Sequence, residues 1–171
     1  MRDVLLAIEP FIRMLAKAAL YAAGVGLVAM TLVIFWQVFG RYVLNSSPSW
    51  SESVAVILMA WFIFLGASVG IREGYHLGFD VLMYVMPPTG KILLRTVSDL
   101  AVLGFALAMM IFGTQLLQGT WGAVIPTLGL PVGLSFLPLI VGGGLSILFT
   151  VERILRRFSG LENANAFAIA D

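Results

Sequence analysis

The sequence predicts an all-α membrane protein with four transmembrane helices, and three observations carry that prediction. Of its 171 residues, 60% are hydrophobic and 11% charged, whereas soluble domains carry roughly a quarter charged residues. The charges are also widely spaced. Positions 18–40 (23 residues), 53–71 (19) and 100–151 (52) carry none, and about 20 helical residues cross a hydrocarbon core of roughly 30 Å. Finally, the longest run is broken by Gly119, Gly122, Pro126, Gly129 and Pro131, so it reads as two helices joined by a charge-free turn. The expected spans are 18–40, 51–71, 96–118 and 131–151, in one domain over residues 1–160. The tail 161–171 is expected to be disordered.

The same composition excludes other classes. A net charge of +1 with high apolar content argues against a disordered chain. Ten basic against nine acidic residues leave no field for nucleic acid. Zero Cys removes disulfides and thiolate sites, and a single His removes paired-histidine haem ligation within the chain.

Residues 1–17 mix Leu5, Ile8, Ile12 and Leu15 with Arg2, Glu9, Arg13 and Lys17. They read as an amphipathic lead-in on or entering one interface, bent or started by Pro10. The first span is too long for a secretion signal, and acidic Asp3 and Glu9 precede it, so a retained anchor is expected. No lipidation motif is visible.

The first span ends at Trp36 and Arg41, and the loop 42–50 leads to Trp50. Ser49 and Glu52 have capping-box spacing, and a Glu in the first turn suits the helix dipole. Glu52 therefore either starts the second helix or pairs with Arg41 across the short loop.

The second connection is Arg72-Glu-Gly-Tyr-His76-Leu-Gly-Phe-Asp80, then a run to Pro87 and Pro88. His76, Asp80 and Tyr84 recur every four residues beside Leu77, Val81 and Val85. This predicts a short amphipathic interfacial helix between spans 2 and 3. His76 beside Asp80 admits a proton relay or half a metal site, and a structural hydrogen bond is the plainer reading.

Asp99 enters the third span four residues after Arg95, which offers a local ion pair. Gln37, Gln115 and Gln118 need hydrogen-bond partners on another helix or subunit. Gly66 with Gly70, Gly129 with Gly133, and the Ala101, Gly104, Ala108 stripe are candidate helix contacts. Pro138 and Gly142 to Gly144 predict a kinked or closely packed fourth helix.

Orientation follows from the basic residues. With both termini cytoplasmic, nine of the ten Lys and Arg lie inside and only Arg41 outside. Trp36, Trp50 and Trp121 then mark the outer interface and Tyr21, Tyr75 and Tyr84 the inner one. Trp61 is mid-span.

The blocks Trp36-Gln-Val-Phe-Gly-Arg41-Tyr42, Pro48-Ser-Trp50-Ser-Glu52, Trp61-Phe-Ile-Phe-Leu-Gly66-Ala67 and Arg72-Glu-Gly74-Tyr-His76-Leu-Gly-Phe-Asp80 occur in that order. Their succession, over roughly residues 18–150, resembles the DctQ-type small membrane subunit of tripartite ATP-independent periplasmic (TRAP) transporters. Ser53 departs from the family, which often has a second acidic residue there, so a two-carboxylate role for this turn is in doubt.

The resemblance implies a bacterial inner-membrane scaffold rather than an enzyme. It implies a large transmembrane partner that carries the sodium and substrate sites and moves as an elevator. It also implies a periplasmic binding protein that delivers an organic acid such as a dicarboxylate or sialic acid. The small subunit would anchor the large one and help dock the binding protein. No catalytic, metal or substrate-binding residue and no cofactor is expected in this chain. Trp36, Arg41, Trp50, Glu52, Arg72, His76, Asp80 and Asp99 are the candidate structural or partner-interface residues.

Three other readings compete. An autonomous small transporter or channel calls for an ionisable residue in mid-span, and the charge-free runs hold none. A membrane cytochrome calls for axial ligand pairs. A complex-assembly subunit without a transport role fits the composition as well.

Overall fold

A computed structural model describes residues 2–73 and 88–158. Four helices in it are long and apolar enough to cross a membrane. They are α1 (Arg2–Tyr42), α2 (Ser51–Glu73), α3 (Pro88–Gly119) and α4 (Leu137–Phe158), the last preceded by a 3-10 turn, Val132–Phe136. The expected interfacial helix around His76, Asp80 and Tyr84 lies outside the described residues, as does the tail 161–171.

The amphipathic lead-in is continuous with the first span rather than separate from it, because α1 runs unbroken from Arg2 with Pro10 inside. A proline near a helix start forfeits one backbone bond yet keeps a helical φ. The remaining turns supply enough bonds to carry the helix through.

Packing follows small side chains. Ala16, Ala19 and Ala23 are buried on α1, with Leu65 and Val69 of α2 and Phe149 of α4 closing over them. In lipid there is no water to expel between helices, so close backbone approach and dispersion decide the contact. Helix α4 is the shared element. It packs against α2, α3 and, more lightly, α1, while α2 and α3 have almost no direct contact. Of its apolar span 33% is buried, against 11% for α3.

The glycines of α4 make this possible. A Cβ on Gly142 would meet the Phe64 Cβ at 2.6 Å, and one on Gly143 the Ala106 carbonyl at 3.0 Å. The close packing expected of this helix is present. Pro138 is its second residue, a position where proline starts a helix rather than kinks it. Two expected helix contacts are not made among the described residues. A Cβ at Gly66, Gly70 or Gly104 would meet nothing within 4 Å, because these faces point away from the other helices.

The charge-free turn between α3 and α4 folds back on itself. Ile125 N donates to Leu130 O and Val132 N to Ala123 O, both at 2.8 Å, and Gly129 takes φ +68° at the bend. That left-handed backbone is one that glycine adopts without steric cost.

Candidate functional site

Polar side chains gather at the two ends of the bundle. At the end bearing Arg72, all four helices contribute to two clusters of ion pairs that meet on α4, one around Glu152 and one around Asp99. Glu152 of α4 accepts from Arg72 Nε at 3.3 Å and from Arg156 Nε at 2.9 Å, with Arg156 Nη2 2.7 Å from the same carboxylate. Arg156 also reaches Glu9 of α1 at 3.3 Å. Asp99 of α3 pairs with Arg153 through Oδ1 and with Arg157 at 2.8 Å through Oδ2. The second is a charge contact rather than an aligned hydrogen bond, since Asp99 Oδ2 lacks hydrogen-bond geometry. Arg153 Nη1 donates to the Ile71 carbonyl at 3.0 Å, which ties the last turn of α2 to α4.

Local sequence sets this up. Glu152, Arg153, Arg156 and Arg157 follow the last apolar turn of α4, so their helical spacing spreads them toward three neighbours. Glu152 and Arg156 are an i,i+4 pair in the favourable order. Asp99 is 1% and Glu152 6% exposed. At such burial each carboxylate is tolerated because two guanidinium groups compensate it. Arg72 also lies over the Phe149 ring at 6.0 Å. Thr150, wholly buried, has an Oγ1 without a partner.

The opposite end is built differently. After α1 the chain reverses through Asn45 at φ 49°, and Ser46 N donates to Gly40 O at 3.0 Å. A Cβ on Gly40 would meet the Ser46 carbonyl at 2.8 Å, so glycine lets the loop fold over the helix end. Ser51 Oγ donates to Pro48 O at 2.7 Å and Val54 N to Trp50 O at 3.1 Å. The latter bond places the N-cap of α2 at Trp50. The expected Ser49 capping box is therefore out of register by one residue, though Glu52 does sit in the first turn. Ser53 and Thr127 hydroxyls lie 2.7 Å apart and join α2 to the distant turn.

Arg41 and Glu52 do not form the ion pair considered for them. Arg41 lies over the ring of Tyr42 at 5.9 Å, and both charges are exposed. Water solvates exposed charges well, so such a pair gains little. Trp36 stacks on Phe39 at 6.0 Å and is 48% exposed, and Trp50 is 41% exposed. Glu52, Ser53, Val56 and Ile57 of α2 face Ile125 and Ser135 across an open cleft of about 270 Å³.

Of the predicted residues, then, Arg72 and Asp99 join separate ion clusters at the same end of the bundle, while Trp36, Arg41, Trp50 and Glu52 lie at the other end without forming one. His76 and Asp80 lie outside the described residues. Asp99 meets arginines 54 and 58 positions away along the chain. Glu9, Glu152, Arg153, Arg156 and Arg157 were missed as site residues. The available signal was the i,i+4 Glu–Arg spacing that closes the fourth span. Among the described residues no group of three His, Cys, Asp or Glu could hold a metal ion.

Comparison with known proteins agrees with this architecture. Residues 30–160 match the family model described as tripartite ATP-independent periplasmic transporters, DctQ component. A TRAP transporter small permease protein of Haemophilus influenzae is 28% identical over 136 residues, covering 75% of this chain and 80% of that one. The C4-dicarboxylate TRAP transporter small permease protein DctQ of Vibrio cholerae is 34% identical over 83 residues, covering 48% and 36%. The sialic acid TRAP transporter small permease protein SiaQ of the same organism is 26% identical over 126 residues, covering 74% and 73%.

Proposed function

This chain belongs to the DctQ family of TRAP transporter components, and on that premise we propose that it is the fixed small subunit of a sodium-coupled importer of organic acids. As a component of such a system it is a multi-pass membrane protein of the bacterial inner membrane and not an enzyme. In the proposed assembly it anchors a large transmembrane subunit that carries sodium and solute. A periplasmic binding protein delivers the solute and docks partly on the outer loops of this chain. The solute is a carboxylate-bearing organic acid, the class to which the named substrates of the Vibrio cholerae relatives belong.

The observation that carries the scaffold reading is the pair of ion clusters that ties α1, α2 and α3 to α4 at one end. Its carboxylates and guanidinium groups neutralise one another at one end of the bundle. They hold the helices together without leaving a charged path along the spans. Such a body stays rigid while a neighbour moves, and it offers a poor route for a coupling ion. Both termini are assigned to the cytoplasm by the positive-inside rule.

Co-expression tests the reading. The chain should co-purify with a large multi-span protein, and sodium-dependent uptake should need both of them and a soluble binding protein. Robust solute transport by this chain alone in liposomes would overturn the proposal in favour of an autonomous carrier. Arg41→Ala and Glu52→Ala should each lower uptake or complex yield. If both leave these unchanged, the Trp50 end plays no part in docking.

A further inference from the structure

Glu52 stands apart from the other acids whose side chains are described. Glu9, Glu73, Asp99 and Glu152 each face an arginine. Glu52 has no ion pair among the described residues. Arg41, the one basic residue at its end of the bundle, is engaged with Tyr42. The turn 119–131 that forms the far wall of the cleft carries no charge at all. The cleft thus presents one carboxylate, the hydroxyls of Ser53 and Ser135, and an apolar wall of Val56, Ile57 and Ile125. It holds no cation to receive an anion.

Depth and direction narrow the occupant. Trp36, Trp50 and Trp121 are 48%, 41% and 53% exposed at this end, and exposed tryptophans mark the headgroup layer. Below Glu52, the exposed apolar residues Val56, Met59 and Ile63 continue down the same face of α2 at steps of four, three and four. From Glu52 to Ile63 the rise is about 16 Å, close to half of a hydrocarbon core of roughly 30 Å. A carboxylate at headgroup level above an apolar track one leaflet deep matches an amphiphile with a cationic head.

We propose that the Glu52 cleft binds the ammonium headgroup of a phosphatidylethanolamine molecule in the adjacent leaflet. The ammonium donates to Glu52, the Ser53 and Ser135 hydroxyls face the phosphate, and an acyl chain lies along Val56, Met59 and Ile63. Phosphatidylglycerol has no cation for Glu52 and brings a net negative charge beside it. This site is independent of the solute and of the transporter reading.

Native mass spectrometry of the full chain released from detergent tests it, with equal amounts of phosphatidylethanolamine and phosphatidylglycerol of the same acyl composition. The ethanolamine lipid should be retained about tenfold over the glycerol lipid, the lower range for a hydrogen bond to a charged group. Glu52→Gln should bring the ratio near one, Glu52→Asp should keep part of it, and Arg41→Gln should leave it unchanged. Glu52 is exposed, so these variants keep the fold, which unchanged thermal melting would verify. Equal retention of both lipids by the wild-type chain, or a preference that survives Glu52→Gln, overturns the proposal. Carbodiimide coupling of Glu52 to a partner protein's lysine, without any lipid preference, also overturns it and assigns the cleft to a protein contact.

Discussion

At Asp99 a carboxylate that is 1% exposed stands between Arg153 and Arg157. Both partners compensate its charge. Replacing it with Asn leaves two guanidinium groups crowded together without their counter-charge. Removing one partner of a buried pair costs about 3 kcal/mol at the lower end of its range, and Asp99→Asn should lose that much in a reversible unfolding measurement. Adding Arg153→Met should recover part of the loss, because the second substitution removes an uncompensated charge. Glu152→Gln should act in the same direction through Arg72 and Arg156. Arg72 and Asp99 could be singled out as span-edge charges from sequence, but their partners could not. The pairings join residues 80 and 54 positions apart, and no local spacing rule reaches that far. Of the two roles open to Glu52, the first turn of α2 is the one it takes, and the Arg41 pair is absent for the opposite reason. Nearness along the chain counted for less than solvation of two exposed groups.

Among the helices, glycines of identical chemistry should respond in opposite ways. Gly142→Ala places a methyl 2.6 Å from the Phe64 Cβ and 3.1 Å from its carbonyl oxygen, which forces α2 and α4 apart. Overpacking of this kind costs about 1–3 kcal/mol. Gly104→Ala meets nothing within 4 Å and gains up to about 1 kcal/mol from helix propensity. Thermal melting in one detergent should therefore move down for the first and stay level or rise for the second. Gly129→Ala, at φ +68° in the turn, should cost about 1 kcal/mol by the left-handed backbone penalty. The spans themselves were legible because apolar length is a local property. Which small-residue stripe packs was not, since Gly66 with Gly70 and Gly129 with Gly133 satisfy the same pattern, yet a Cβ meets nothing at the first pair and would meet the Leu117 carbonyl at Gly133. Only the assembled bundle separates the faces turned inward from those left open. Both ends of α2 and the C-terminal ends of α1 and α3 were readable to within a turn, whereas α1 continues back through Pro10, α3 starts at Pro88 and α4 runs from Leu137 to Phe158.

For the molecule as a whole, the composition predicted where the protein resides and the charge distribution predicted how it is oriented. The absence of cysteine permits a direct check of that orientation. A single Ser47→Cys should react in intact cells with a membrane-impermeant maleimide. A single Lys17→Cys should react only after permeabilisation. The reverse pattern would overturn the assignment of both termini to the cytoplasm.

The position of α4 has a further consequence, in the order of synthesis. The last span to leave the ribosome is the one that lies between its predecessors, packed on α2 and α3, which barely touch each other. Until it arrives, Arg72 lacks Glu152, Asp99 lacks Arg153 and Arg157, and Glu9 lacks Arg156. Until then α1 and α2 can already pack on each other, whereas α3 has almost no helix to pack on, and the bundle can close only when its final segment slides in. A chain cut short after α3 would remain in the membrane as an α1–α2 pair with α3 unattached, open to quality-control proteases on the side where its charges wait.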